Sequence, residues 1–166
     1  MSKVWSFNTT VRNPERVQNF LRTLKELEGK VFDEGVQAEF FALQIKRRLY
    51  KPEKATLKSP ELIRAIYDNA DDIPDEVIDR VISLYDKKKD ADAAMRGRTT
   101  AGILNRFGLC IALKSKGAIV ITPLGNKYIN NEIDEQDVFF RFLLKWQYPN
   151  PIESGYQDFN IKPFIS

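Results

Sequence analysis

Between positions 96 and 116 the chain carries Arg96, Arg98, Thr99, Thr100, Asn105, Arg106, Lys114 and Lys116. These are side-chain types that meet nucleic acid. Arginine pairs with the two acceptors on a guanine edge, and asparagine pairs with the acceptor and donor of adenine. Further arginines and lysines neutralise phosphates, which fixes register and makes binding salt-dependent. Arg98, Asn105 and the neighbouring Thr99 and Thr100 are therefore candidates for base contact. Arg96, Arg106, Lys114 and Lys116 are candidates for phosphate contact, as are Arg12 and Arg16 near an upstream helix start. The same residues also fit a plainer reading, in which a short helix keeps a solvated basic face.

The segment around them supplies the elements that must hold them. Ile103, Leu104 and Phe107 recur at helical spacing, Thr99 and Thr100 are available as N-caps, and Gly108 is suited to end the helix. Two apolar runs follow, Leu109 to Leu113 and Ala118 to Ile121, joined by a hairpin-type connection, Lys114 to Gly117. Thr122 then caps a helix whose first residue is Pro123, where the missing N–H costs nothing. Helix, two-stranded ribbon, helix is the order of a winged helix-turn-helix, in which one helix enters the DNA major groove and the ribbon touches the flanking backbone. A helix followed by a hairpin also occurs in many small α+β domains.

The whole chain bounds this reading. Its 166 residues suit one domain or two small lobes. With 43% hydrophobic and 30% charged residues it can bury a normal core and stay in solution. The net charge of +3 permits a polyanionic partner without requiring one. There is no histidine, which excludes Ser-His-Asp and Cys-His catalysis and every His-containing zinc site within this chain. The single cysteine, Cys110, lies in a predicted strand, where a buried apolar role suits it, and a lone thiol fits a reducing cytoplasm. No stretch approaches the roughly 20 apolar residues that span a membrane, and Met1 to Phe7 lacks the apolar core of a secretory signal. The expected setting is a bacterial or archaeal cytoplasm, with no membrane partner.

The remaining elements read as mainly helical. Val4 to Phe7 could form a short strand. Asn13-Pro14-Glu15 opens a helix with Val17, Phe20, Leu21, Leu24 and Leu27 inward, and Gly29 stops it. Phe32 reads as a buried plug in the turn. A second helix runs from about Glu34 toward Leu49, with Lys46-Arg47-Arg48 at its C-terminal end, where cations suit the dipole. Ser59-Pro60-Glu61 and Pro74-Asp75-Glu76 open two more, Asp86 to Asp92 is a charged run, and Asp134 caps a last helix ending near Lys145. Trp5, Phe20, Phe40, Phe41, Phe107, Phe139, Phe142 and Trp146 are expected to supply much of the core. The fold class is mainly α with a small β-hairpin. Its expected divisions are a helical part over 1–95, a winged-helix segment with its following helix over 96–148, and the start of a further subdomain or a tail over 149–166.

Several stretches resemble AlwI-type type IIS restriction endonucleases and their strand-nicking relatives. The opening Val4 to Arg16 resembles that family's N-terminus. Ile121-Thr122-Pro123-Leu124-Gly125 is similar to its Ile-Thr-x-x-Gly turn, and Asp137-Val138-Phe139 with Leu143 to Pro151 is similar to its Asp-Val-Phe…Leu-x-Lys-Trp-Gln-Tyr-Pro run. Ile161-Lys162-Pro163-Phe164 matches a further Ile-x-Pro-hydrophobic step. The resemblance weakens between about Lys51 and Met95. It implies a role in restriction-modification: recognition of a short asymmetric duplex site by a part built of winged helices. Cleavage would come from a C-terminal nuclease domain or separate nuclease subunit that uses Mg²⁺, and this chain would be the start of a longer protein.

Nuclease chemistry of that kind needs carboxylates clustered around Mg²⁺ and usually a lysine by the attacking water. Asp75 after Pro74 falls in a predicted first turn, where acids favour the helix dipole, and Asp86-Lys87-Lys88 and Asp134-Glu135-Gln136-Asp137 fall on predicted helix ends rather than strands. No catalytic residue, metal ligand or cofactor is expected within the chain. Two other functions fit the same residues: a free-standing winged-helix transcription regulator that dimerises on a palindrome, and a protein–protein module whose aromatic end, Trp146 to Phe164, is an interface.

Overall fold

The computed structural model describes residues 16–68, 72–86 and 92–147. The elements in chain order are α1 (Arg16–Lys25), α2 (Glu34–Lys46), α3 (Lys54–Leu57), α4 (Pro60–Tyr67), α5 (Asp75–Asp86), α6 (Ala93–Arg106), β1 (Cys110–Ile111), β2 (Val120–Ile121), α7 (Pro123–Ile129) and α8 (Glu135–Lys145). The fold is mainly helical with one small antiparallel sheet, as the patterning predicts. The expected strand at Val4 to Phe7, the helix start at Asn13 to Glu15 and the tail over 149–166 lie outside the described residues. So do Trp5 and Arg12.

Local chemistry sets most boundaries. The side chains of Asp33, Ser59, Thr122 and Asp134 each accept from a backbone N–H two or three residues into α2, α4, α7 and α8, satisfying donors that a helix start otherwise leaves orphaned. Gly29 and Gly108 take the left-handed φ values of +86° and +70° that end α1's turn and α6. The short α3 has no counterpart in the patterning; it occupies the stretch after Pro52 that reads as a break. The start of α6 also corrects the sequence reading. Its N-cap is Asp92, whose carboxylate accepts from the Met95 N–H at 2.6 Å, so Thr99 and Thr100 lie inside the helix rather than at its start. Their hydroxyls bond back to the Met95 and Arg96 carbonyls, the usual local use of threonine within a helix.

The hairpin pairs Cys110 with Ile121 and Ile111 with Val120, and a 3₁₀ turn, Lys114–Lys116, joins its arms. A third segment runs alongside. Val31, between α1 and α2, bridges Ala118, and Gly29 N–H donates to the Ile119 carbonyl while Ile119 N–H donates to that of Lys30. The backbone order is thus helix, bridging segment, helix, then α3 to α5, then helix and hairpin.

Two apolar clusters hold this together. The first gathers Leu21, Leu24, Phe32, Phe40, Leu104, Leu109 and Ile119, and Phe107, Phe142 and Trp146 close it; the Phe107 ring meets Phe139 and Phe142 edge-on with centroids 4.7 Å apart. The second gathers Phe41, Ile45, Leu57, Ile66, Ile73, Val81 and Tyr85 under α2 to α5. Helix α2 serves both, and α6 lies against it. At their crossing the backbones nearly touch: a Cβ on Gly97 would sit 1.9 Å from the Gln37 carbonyl oxygen.

Candidate nucleic-acid interface

The structure separates the predicted contact residues into three environments. Arg98 is exposed on α6, and its Nη1 donates to Gln37 Oε1 at 3.0 Å. Lys114 on the hairpin turn reaches Glu34 Oε1 at 3.1 Å, and Lys116 on the same turn is exposed. Glu34 and Gln37 lie three apart on α2, hence on one face of its first turns. The α6 arginine and the hairpin-tip lysine therefore converge on neighbouring residues of α2. The Lys114–Glu34 pair is exposed on both sides, so it contributes little and yields readily to a stronger anion.

Arg96 faces the other way, into the second cluster. Its guanidinium lies 4.8 Å from the Tyr85 ring centroid, 5.5 Å from Tyr50 and 5.9 Å from Phe41, and Nη1 donates to the Tyr50 hydroxyl at 2.7 Å. Burial holds the Tyr85 phenol above its ordinary range; a hydrogen bond with Tyr50 adds to the push and the Arg96 charge opposes it. Arg16 is engaged similarly, donating to the Leu49 carbonyl and lying over Phe20. Arg106, at the far end of α6, lines a groove of about 420 Å³ with Phe107, Arg141, Phe142, Lys145 and Trp146.

Asn105 and Thr100, expected at base edges, are buried and bonded within the fold. Asn105 is 7% exposed; its Nδ2 donates to the Ala112 carbonyl at 3.0 Å and its Oδ1 accepts from the Ala112 N–H at 2.8 Å. It closes a ring between α6 and the hairpin. Asn105→Ala is expected to cost about 2–3 kcal/mol by orphaning both Ala112 groups, read as a lower urea midpoint. Unchanged stability would refute this assignment. Thr100, 4% exposed, donates to Gln44 Oε1 at 3.1 Å. Thr99 is half-buried with its hydroxyl on Met95. Cys110 is buried, and burial pushes its thiol up to about 12, so it is neutral and inert at physiological pH.

Sequence reading missed Gln37 and Glu34. The signal for the first was present: Gln37 and Gln44 stand seven apart on a helix whose other inward positions are apolar, and a glutamine at a core position must be bonded. Among the described residues no group of three acidic or cysteine side chains could hold a metal ion, and no helix is long and apolar enough to cross a membrane.

Residues 105–166 match the family described as AlwI restriction endonuclease. The match includes Asn105 and Arg106, the hairpin, α7 with its Ile-Thr-x-x-Gly turn, and α8 with the Lys-Trp-Gln-Tyr-Pro run. The chain thus resembles AlwI-type enzymes over that span, and the resemblance supports a restriction-modification role. The similar opening, Val4 to Arg16, lies outside the matched residues. No curated protein and no solved structure matches the chain.

Proposed function

We propose that this chain recognises duplex DNA in a sequence-specific way, as the targeting part of a type IIS restriction or nicking endonuclease. The observation that carries the reading is the convergence of Arg98 and the Lys114–Lys116 turn over the first turns of α2. The backbone order supports it. Helix, bridging segment, helix, helix and hairpin is the order of a winged helix, with α1, Val31, α2, α6 and the β1–β2 hairpin in those places and α3 to α5 inserted before the reading helix. In that reading α6 enters the major groove, and Lys114 and Lys116 hold phosphate beside it. Helix α6 and the β1–β2 hairpin read the DNA, and α1 and α2 hold them in place. Cleavage belongs to a nuclease domain or subunit that uses Mg²⁺, and the setting is a bacterial or archaeal cytoplasm.

Fluorescence anisotropy on labelled duplexes tests the division of labour. Lys116→Ala is expected to weaken all duplexes alike and to lower the salt slope by about 0.9. Arg98→Ala is expected to cost about 1–3 kcal/mol on the preferred site and to relax preference at one base pair. If neither substitution changes binding, α6 and the hairpin are not the interface.

A further inference from the structure

Helix α6 contains two glycines, and only one of them is accounted for by packing. Gly97 is required at the crossing with α2, where any side chain would strike the Gln37 backbone. A Cβ on Gly102 would meet nothing within 4 Å among the described residues. Gly102 is nonetheless in a helix interior, where glycine is disfavoured relative to alanine. It stands one turn from Arg98 and one turn from Arg106, on the partly exposed side. A residue that weakens its own helix and relieves no internal clash suits the close approach of something external.

Arg98 beside it is not a loose surface side chain. Gln37, 0% exposed, is held by its own Nε2, which donates to the Phe32 carbonyl at 3.0 Å. That bond turns Oε1 toward Arg98, whose Nη1 it accepts. One donor of the guanidinium is thereby fixed from below, and the rest of the planar fork remains for a ligand. A pinned fork loses less rotamer freedom on binding than a free one.

We propose that Gln37 is a positioning residue for Arg98, and that Arg98 so held, with the open space at Gly102, forms a notch that admits the edge of a guanine in the major groove. This rests on the reading of α6 as the groove helix and adds how that helix discriminates. Gln37 does not touch the DNA; it acts through Arg98.

The test uses the full chain and duplexes that the unaltered chain enriches from a random-sequence pool. Gln37→Met keeps side-chain length and removes the bond to Arg98. It is expected to lower the preference for the guanine-containing pair about tenfold while random duplex binds nearly as before. In the Arg98→Ala background the same substitution should have no further effect on preference. A merely structural role would weaken both duplexes together and would persist in that background. Gly102→Gln adds a helix-favouring side chain in open space, so it should melt at a higher temperature yet bind the enriched duplex at least about tenfold less tightly. It carries the test even if Gln37→Met fails to fold. Unchanged binding by Gly102→Gln, or preference unaltered in a folded Gln37→Met, overturns the notch and leaves the DNA reading standing. Failure of the unaltered chain to hold any duplex at low salt overturns both.

Discussion

Gly97→Ala is expected to lower folding stability by about 3 kcal/mol or more, the upper end of what overpacking a core costs. The added Cβ would lie 1.9 Å from the Gln37 oxygen and 2.9 Å from its carbonyl carbon. Both are backbone atoms of α2, so no rotamer change relieves them and the helices must part. Parting them opens the seam between the two apolar clusters, since Phe40 and Phe41 of α2 belong one to each. Gly102→Ala is the internal control. The same substitution five residues on meets open space and should stabilise by about 0.5–1 kcal/mol through helix propensity alone. Urea denaturation of the two variants reads opposite signs if the α2–α6 crossing is as described. Equal effects would mean that the helices do not approach so closely.

The second large effect concerns Arg96. Arg96→Ala removes a cation from among three aromatic rings and takes the donor from the Tyr50 hydroxyl. Cation–π attraction in a desolvated site is worth about 2 kcal/mol, and the lost hydrogen bond from Arg96 to Tyr50 adds about 1, while Tyr50 keeps its bond with Tyr85. The expected loss is therefore about 3 kcal/mol. Arg96→Lys should recover only part of it, because a compact ammonium does not lie flat against rings as guanidinium does. The salt slope of duplex binding should stay unchanged in whichever variant remains folded. A phosphate-holding Arg96 would give the reverse: normal stability and a slope lower by about 0.9.

Arg96 also marks where sequence reading stopped. The helices were legible because their apolar residues recur at helical spacing and because Ser59, Thr122 and Asp134 are unambiguous caps. The hairpin was legible from two apolar runs around a Gly-ended turn, with φ of +82° at Gly117. Sequence alone does not fix the start of α6, because Thr99, Thr100 and Asp92 all qualify as caps; the structure selects Asp92, with Ala93 and Gly97 packed behind it. The roles of polar residues were the least legible. Arg96 and Arg98 are two positions apart on a helix, so they face different ways. Nothing in composition says that one faces aromatic rings and the other solvent. Asn105 fits either role by type, because the same amide that fits adenine also fits a backbone N–H and carbonyl. Choosing between them requires knowing that Ala112 folds back over it, a contact set by the hairpin rather than by α6.

The central claim is that this chain selects a DNA sequence, and selection from a random-sequence duplex pool tests it most directly. The purified chain would be mixed with the pool at low and moderate salt, and the bound fraction sequenced. The account predicts enrichment of one short asymmetric motif, binding that weakens as salt rises, and loss of the motif's guanine preference in Arg98→Ala. A palindromic motif would instead favour the dimeric regulator. Absence of binding even at low salt would contradict the account and move the aromatic end of the matched region to the front as a protein interface.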